Sequence, residues 1–347
     1  MMRPPQLARS RTIIGAILAV GGLLWTSTAL WPKATEVLPG LPALQASAFV
    51  GGILAVFGLA LIVRARRALA VLAVMVLVVV IAPRIGTLNW FGPDPNVRVM
   101  ALNTALGNAD DGAIVDRLRE LQPDLVSLSE TTPDEIRRVT AATGFVAMSN
   151  AEPGGGGADG VVLLANPDGR LASLVTQAEK VDPEKKPEAN HEYADVARDA
   201  DVTRFQMPTV YTPSWHFRGS RAGAVAEVPV TFAGVHVVAP VGSEDRKAWD
   251  EELEGLQSWT AQRNRTTDVV LMGDFNATRW HPRMRDFSNT TDCTGHAAAR
   301  PTWPAFAPVI RLDHILTTGS CGEAGTFRVS GTDHLGVWAD IAFRKKD

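Results

Sequence analysis

The chain has 347 residues and carries 34 Lys and Arg against 37 Asp and Glu, a net charge of −3. This length exceeds one typical domain. The charges are uneven, because the first 93 residues hold nine and the rest holds 26 basic and 36 acidic residues, a net charge of −10. The acidic part lacks the basic footprint of proteins that bind nucleic acid unaided, which counts against such a role without excluding it, since divalent cations can offset local charge.

Residues 1–93 contain three uncharged apolar stretches, at 12–31, 44–63 and 68–83. The first two have about twenty residues each, enough to cross a hydrocarbon core about 30 Å thick. The third has about sixteen, or about 24 Å of helix. It can cross if the bilayer thins locally or if Arg84 extends its charge to the interface. We therefore expect a membrane anchor of three transmembrane helices.

The arginines predict the orientation of this anchor. Basic residues cluster at positions 3–11 and 64–67, whereas the loop between the first two spans carries only Lys33 and Glu36. Basic flanks stay in the cytoplasm, so we expect a cytoplasmic N-terminus, and three crossings place residues 94–347 outside the cell membrane. A cleaved signal peptide fits less well, because it would leave the later apolar stretches unexplained.

The only two cysteines, Cys293 and Cys321, both lie in the expected external domain. An oxidising environment permits a disulfide between them, which we favour. The alternative is two buried thiols that are not bonded to each other, because the sequence does not show how closely their Cα atoms approach.

Residues 94–347 are expected to form one α/β domain. Strands are predicted at residues 97–103, 125–130, 161–165, 230–238, 269–274, 312–317 and 335–343. One helix is expected to be capped by Asp111, and a second to bury Trp249, Leu253 and Leu256. Residues 154–157 are expected to be a flexible loop and residues 177–214, rich in charge and Pro, a surface excursion.

Polar residues with catalytic or metal-binding chemistry stand where several predicted strands end. They are Asn103, Glu130, His236, Asp274, Asp313 and the pair Asp333 and His334. Taken singly, such a residue more often satisfies a turn than performs chemistry. Side chains at the ends of neighbouring strands can nevertheless converge on one mouth, so their joint occurrence indicates a site.

Six motifs around these residues resemble, in order, those of the endonuclease/exonuclease/phosphatase superfamily, which includes DNase I, abasic-site endonucleases, sphingomyelinases and inositol polyphosphate phosphatases. They are Met-Ala-Leu-Asn at 100–103, Leu-Ser-Glu at 128–130, Gly-Val-His-Val-Val-Ala-Pro at 234–240, Met-Gly-Asp-Phe-Asn-Ala at 272–277, Arg-Leu-Asp-His at 311–314 and Thr-Asp-His-Leu-Gly-Val at 332–337. The likeness implies an α/β fold, a two-sheet β-sandwich flanked by helices in four DNase I-like layers, preceded here by the transmembrane helices. It also implies hydrolysis of a phosphate ester.

The resemblance implies a metal site of Mg²⁺ or Mn²⁺. Glu130 corresponds to the principal ligand, with Asn103 and Asp333 near or on the metal. Carboxylate and amide oxygens are the hard ligands that Mg²⁺ prefers. Neither cysteine belongs to the set, which argues against a thiolate zinc site.

The resemblance also implies catalytic roles for the other residues. His334 corresponds to the general base, oriented by Asp313. Asp274 and Asn276 would position the nucleophile and the phosphoryl oxygens, and His236 would contact phosphate and help to protonate the leaving group.

Arg221 resembles the family arginine that contacts phosphate near the scissile bond, although Arg218 lies close enough in sequence to be the counterpart. A guanidinium suits this role because it neutralises charge on phosphoryl oxygens.

The resemblance assigns no role to the other polar residues. The histidines at the remaining five positions are expected to be structural or on the surface: His191, His216, His281, His296 and His314. The cluster Glu251, Glu252 and Glu254 is expected to be the solvated face of a helix.

The motifs and the anchor together predict an enzyme that hydrolyses a phosphodiester or phosphomonoester, such as a lipid headgroup or cell-envelope phosphoester, at the outer membrane surface. One alternative is an extracytoplasmic DNase I-like nuclease. Another is a non-catalytic binding or scaffold module of a membrane complex, which the presence of Glu130, Asp333 and His334 disfavours.

Overall fold

The structure, a computed structural model, describes residues 4–30, 41–63, 97–148, 160–172, 200–206, 211–217, 230–265, 267–287, 289–294 and 301–343. Four features of the sequence fall outside these residues: the third apolar stretch, the predicted loop at 154–157, Arg221 with Arg218, and the histidines His191 and His296.

The N-terminal part consists of helices that pair with each other. Helix α1, Pro4–Ser27, continues into a 3-10 turn, Thr28–Leu30, and helices α2, Leu41–Ala46, and α3, Ala48–Ile62, follow. Among the described residues, one helical segment, Ser10–Leu30, is long and apolar enough to cross a membrane. The second predicted stretch is not one continuous helix, because the chain leaves helical geometry at Ser47, and α3 has only 15 residues.

The described residues between 97 and 343 form two six-stranded sheets. The first has the order β11 (Ser320–Phe327), β12 (Gly336–Ala342), β1 (Val97–Asn103), β2 (Leu125–Ser129), β4 (Val161–Ala165) and β3 (Val146–Ala147). The second has the order β5 (Ala200–Gln206), β6 (Tyr211–Phe217), β7 (Val230–His236), β8 (Asp268–Asp274), β10 (Asp313–Thr317) and β9 (Thr291–Asp292). The pairs β1 with β2 and β7 with β8 are parallel, and the other pairs are antiparallel.

The two sheets pack face to face around a shared apolar core that includes Val99, Phe232 and Ile315. Helices α4, Asp111–Leu121, and α5, Pro133–Thr143, cover the outer face of the first sheet. Helix α6, Ser243–Arg263, covers the second sheet, and the short α7, Pro282–Arg285, follows β8. Both faces of the central strands are buried, which explains their almost continuous apolar sequences. The two sheets with flanking helices agree with the predicted sandwich.

The seven predicted strands are present, with ends that differ by at most two residues. The surface excursion predicted at residues 177–214 is wrong in part, because β5 and β6 form a hairpin at the edge of the second sheet. Edge strands tolerate charged residues and Pro, which hides them in the sequence. Strands β3, β9 and β11 were not predicted either, and all three also lie at or next to a sheet edge.

Two details of the helices correct the sequence analysis. The cap of α4 is Asp110, whose Oδ1 accepts a hydrogen bond from the Ala113 amide at 2.8 Å, and Asp111 is already helical. Glu252 is buried rather than solvated, and its Oε2 accepts from the Val238 amide at 2.8 Å. That bond ties α6 to the chain just after β7, while Glu251 and Glu254 are exposed as expected.

Cys293 and Cys321 are joined by a disulfide, with Cα atoms 5.2 Å apart. Cys321 lies in β11 at one edge of the first sheet, and Cys293 directly follows β9 at one edge of the second. The bond therefore connects the two sheets at one side of the sandwich.

Candidate active site

The strand register brings the predicted residues to one end of the sandwich. In the second sheet, His236 at the end of β7 is paired with Asp274 at the end of the parallel β8. Asp313, at the start of the antiparallel β10, is paired with the same Asp274. In the first sheet, Asn103 ends β1 beside Ser129 of the parallel β2, and Glu130 follows directly. The five strands thus bring these polar residues to the same end of the sandwich.

Gly273 makes this register possible. Its φ is +150°, and a Cβ at this position would lie 1.9 Å from the carbonyl oxygen of Val235 on β7. Any side chain would therefore push β8 away from β7 and separate Asp274 from His236. The close approach of β7 and β8 therefore requires glycine at the first position of the Gly-Asp-Phe-Asn motif.

Asn103 connects the two sheets at the site. Its Nδ2 donates to Glu130 Oε1 at 2.9 Å and to Asp274 Oδ2 at 3.1 Å. Its Oδ1 accepts from the Ala105 amide at 2.9 Å, which fixes the orientation of the side-chain amide. Asn103 therefore presents nitrogen, not oxygen, to Glu130, and it acts here as a holder of the two carboxylates.

His334 and Asp313 form a buried pair beside Asp274. The Nδ1 of His334 lies 2.9 Å from Asp313 Oδ2, and its Nε2 lies 3.7 Å from Asp274 Oδ2. Thr332 holds the loop in place, since its hydroxyl donates to the Asn103 carbonyl at 2.7 Å and accepts from the His334 amide at 3.1 Å. Because Asp313 engages Nδ1, Nε2 is the ring nitrogen that has no hydrogen bond among the described residues.

The electrostatics of the site are dominated by its carboxylates. Burial alone would lower the pKa of His334, but Asp313 and Asp274 outweigh it and raise that pKa to about 10. Burial raises the pKa of Asp274, against the attraction of His334. Burial would also raise the pKa of Glu130, but hydrogen bonds from His236 and Asn103 lower it below its usual value. The site therefore holds concentrated negative charge next to histidines that attract protons.

The donor set fits a hard divalent cation. Asp274, Asp313 and His334 each offer one ligand atom, and these atoms lie within 4.8 Å of one another. Because His334 uses Nδ1 in its bond to Asp313, this group resembles an oriented base more than a closed metal cage. Glu130 is half-buried, and both of its neighbours, Asn103 and His236, contact Oε1. Such partly open carboxylates suit Mg²⁺, which keeps several of its waters.

The remaining predicted residues lie around this centre. His236 is buried, its Nε2 lies 3.4 Å from Glu130 Oε1, and its Nδ1 has no partner among the described residues. Asn276 has a φ of +45° and donates from Nδ2 to the Val237 carbonyl at 2.8 Å, so it links two loops. Asp333 is exposed, and its Oδ2 accepts from Trp303 Nε1 at 3.0 Å. Asp333 thus lies at the rim of the site, next to His334.

A supporting network behind Glu130 escaped the sequence analysis. Glu135, on α5, is fully buried, and its Oε2 accepts from Thr131 Oγ1 at 2.6 Å and from Thr104 Oγ1 at 2.7 Å. Glu130 itself has a φ of +51°, a strained backbone that needs such support. The signal available in the sequence was the Thr-x-x-Glu spacing of Thr132 and Glu135, typical of a helix start.

Two histidines to which the resemblance assigns no role are structural, as expected. His314 is buried, with Nδ1 at 2.8 Å from Asp292 Oδ2 and Nε2 at 2.9 Å from the Ala277 carbonyl. His281 is buried too, and accepts from the Thr278 amide at Nδ1. Its Nε2 then carries the proton and donates to the carbonyl of Pro42, in α2, at 2.9 Å.

Solved structures resemble this domain at low sequence identity. A conserved protein of unknown function from Enterococcus faecalis V583 has a TM-score of 0.50 and 15% identity, covering 71% of this chain and 100% of its own. A mannosyl-6-phosphatase from Bacteroides thetaiotaomicron has a TM-score of 0.46 and 17% identity, covering 71% and 100%. At these identities the likeness concerns the fold.

No match was found among curated protein sequences. The model of the Endonuclease/Exonuclease/phosphatase family matches residues 100–334, a span that begins in β1 and ends at His334. The chain therefore belongs to the Endonuclease/Exonuclease/phosphatase family.

Proposed function

We propose that this chain is a divalent-metal-dependent phosphoesterase, anchored in a membrane by its N-terminal helices, with its catalytic domain outside the cytoplasmic membrane. The observation that carries the catalytic part is the continuous series of contacts from Glu130 through Asn103 and Asp274 to His334 and Asp313. Five residues from distant parts of the sequence meet there, and they include the types of side chain, carboxylates and a histidine, that metal-assisted hydrolysis uses.

In this proposal Glu130 is the principal metal ligand, and Asn103 positions it rather than ligating the metal itself. Asp333, at the rim next to His334, would be a second oxygen donor. The cation, Mg²⁺ or Mn²⁺, would stabilise negative charge on the phosphoryl oxygens. The fit rests on the oxygen-rich donor set and on the half-buried carboxylate of Glu130.

His334 would accept a proton from the attacking water at Nε2, while Asp313 stabilises the resulting imidazolium. Against the effect of burial, Asp313 and Asp274 raise the pKa of His334 above its usual value and so favour the protonated ring. A divalent cation held by Glu130 would offset the negative charge of the site and lower that pKa. His236 is placed to protonate the leaving group.

The membrane anchor is supported by the composition of the two helix faces. The apolar side chains of α1 that are exposed include Ile13, Ile17 and Leu24, whereas the buried positions are small. Helices α1 and α3 pack so closely that a Cβ on Gly22 would lie 2.4 Å from the Gly51 carbonyl oxygen. Small residues between helices and large apolar ones outside are typical of helix pairs in lipid.

The proposed orientation is supported by the end of the helix pair that meets the catalytic domain. Arg11 donates to the Leu61 carbonyl at the basic end of the pair, at 3.0 Å. At the opposite end, Arg285 donates to the Ala29 carbonyl and His281 to the Pro42 carbonyl. The catalytic domain therefore contacts the end that carries no basic cluster, which is the outer end under the positive-inside rule. Protease added to intact cells should digest residues 94–347.

The catalytic proposal is tested with the full chain in lipid nanodiscs, bis(p-nitrophenyl) phosphate as substrate, and Mg²⁺ or EDTA. We expect EDTA to abolish hydrolysis and Mg²⁺ to restore it. Glu130→Gln should lower the rate by on the order of a hundredfold or more, because a metal contributes several kcal/mol. Glu120→Gln, an exposed residue of α4, is the matched control and should change nothing. Hydrolysis that is indifferent to EDTA and to Glu130→Gln would reject the proposal.

A further inference from the structure

Large apolar side chains are exposed at only one end of the described part of the catalytic domain. They are Leu106, Val241, Trp280, Phe306 and Val309, with exposures between 39% and 86%. Single exposed apolar residues are normal on a protein surface. What requires an explanation is that these five, called here the apolar rim, share one location.

The strand directions place the apolar rim at the same end as the active site. Leu106, Val241 and Trp280 follow the carboxyl ends of β1, β7 and β8, the strands that end in Asn103, His236 and Asp274. Phe306 and Val309 precede β10, which runs antiparallel to β8 and begins at Asp313. At the opposite end, the described loops 122–124, 166–172 and 318–319 expose no large apolar side chain.

The apolar rim borders the surface of the catalytic domain that contacts the N-terminal helices. The ring of Trp280 lies 6.1 Å from that of Phe49, the second residue of α3, centroid to centroid. Next to it, Thr278 Oγ1 donates to the Ala46 carbonyl at 3.3 Å. The exposed Arg279 places its guanidinium 5.7 Å from the Trp280 ring. Trp and Arg side by side at the end of apolar helices are typical of a membrane interface.

We propose that the apolar rim rests in the interface of the same bilayer that holds the N-terminal helices, so that the substrate is a phosphoester carried by a membrane lipid. This inference rests on the proposed phosphoesterase function and names its substrate class. A soluble ester would gain nothing from an apolar rim around the site. A lipid headgroup can reach the carboxylates while its acyl chains stay in the membrane.

The position of the rim is tested with single cysteines introduced into the full chain by Phe306→Cys, Val241→Cys or, as the control at the opposite end, Asp168→Cys. Each is labelled with an environment-sensitive fluorophore in nanodiscs. We expect nitroxide-labelled lipid to quench positions 306 and 241 but not 168, and iodide to do the reverse. Labels at 306 and 241 that respond like 168 would overturn the proposal. So would protection from both quenchers, which indicates a second copy of the chain on the rim.

The substrate class is tested with the double variant Phe306→Ser, Val309→Ser, which leaves every proposed catalytic residue in place. Its substrates are phosphatidylglycerol and phosphatidylethanolamine in nanodiscs, and soluble bis(p-nitrophenyl) phosphate. We expect lipid hydrolysis to fall by on the order of tenfold, because two apolar contacts with the membrane are lost. Hydrolysis of the soluble ester should stay within about twofold.

The two substrates separate the possible failures. If the full chain hydrolyses the soluble ester and neither lipid, the lipid inference is overturned and the phosphoesterase function stands. If it hydrolyses neither substrate, the proposed function fails, and with it the substrate class. An equal fall on both substrates would show that the rim residues act on the site itself, which also overturns the inference.

Discussion

Two histidine–aspartate pairs share strand β10, which carries Asp313 of one pair and His314 of the other. The two pairs differ in one respect. His334 and Asp313 are 2.9 Å apart, and His314 and Asp292 are 2.8 Å apart. The second ring nitrogen of His314 is occupied by the Ala277 carbonyl, whereas that of His334 faces Asp274 at 3.7 Å. The lesson is that the pair alone does not identify a catalytic histidine. Of the two histidines, only His334 keeps a ring nitrogen without a hydrogen bond among the described residues, as the base that we propose requires.

The largest expected effect separates the two pairs by activity. His334→Ala should lower kcat on a soluble phosphodiester by about 10²–10⁴-fold, because general base catalysis contributes on that order. Unfolding measurements should show a folded protein. Substantial activity in this variant would show that another residue is the base. The difference drawn between the two pairs would then be wrong.

The second prediction concerns the other pair and expects a loss of stability rather than of activity. His314→Ala should cost about 3 kcal/mol of unfolding free energy, because it leaves a cavity beside Phe275 and removes a hydrogen-bonded partner of the half-buried Asp292 carboxylate. The activity per folded molecule should stay within about threefold. Denaturant titration of the detergent-solubilised chain, with active-site normalisation, measures both. A large loss of kcat at unchanged stability would make His314 functional.

A third histidine extends the comparison to pH. Burial lowers the pKa of His281 to about 4, against hydrogen bonds with Pro42 and Thr278. Because the folded pKa lies below the unfolded value of about 6.5, stability is fully present above about pH 6.5 and is lost as pH falls towards 4. Between pH 7 and pH 5 the wild type should lose about 2 kcal/mol more than His281→Gln. Parallel pH profiles for the two proteins would contradict this.

The smallest effect concerns Asp292 in the structural pair. Burial would raise its pKa, but the attraction of His314 outweighs this and lowers the pKa to about 2. Its contribution is therefore present above about pH 4 and is lost as pH falls through 2. At pH 3 the wild type should have lost about 1 kcal/mol relative to pH 6 that Asp292→Asn does not lose. Denaturation curves at the two pH values provide the check.

Much of the fold could be predicted because its central strands are buried on both faces. Strands such as β1, β4 and β8 have mostly apolar sequences, and their predicted ends lie within one residue of those in the structure. The hairpin of β5 and β6 was missed because an edge strand needs little apolar surface. The N-terminal stretch at 44–63 was read by hydropathy alone, which does not register the break at Ser47.

The candidate site was predictable to the extent that its residues stand in motifs. The structure brings Asn103, Glu130, Asp274, Asp313 and His334 together, and sets Asp333 at the rim. The sequence did not show which atom of Asn103 faces Glu130, because that depends on the amide of Ala105. It also did not distinguish the buried Glu135 from a surface glutamate, since its partners, Thr104 and Thr131, are recognisable only in three dimensions.

The bridge that Asn103 makes between the two sheets has a consequence for how the protein responds to heat. Half of the constellation is attached to each layer, and the contact of Asn103 with Asp274 crosses the seam between them, as do those of His334 with Asp313 and of His236 with Glu130. A small displacement of one sheet against the other would misalign the reacting groups while the apolar core stays packed. A displacement of about 1 Å can lower the rate about a hundredfold. On heating, activity should therefore be lost several degrees below the unfolding temperature.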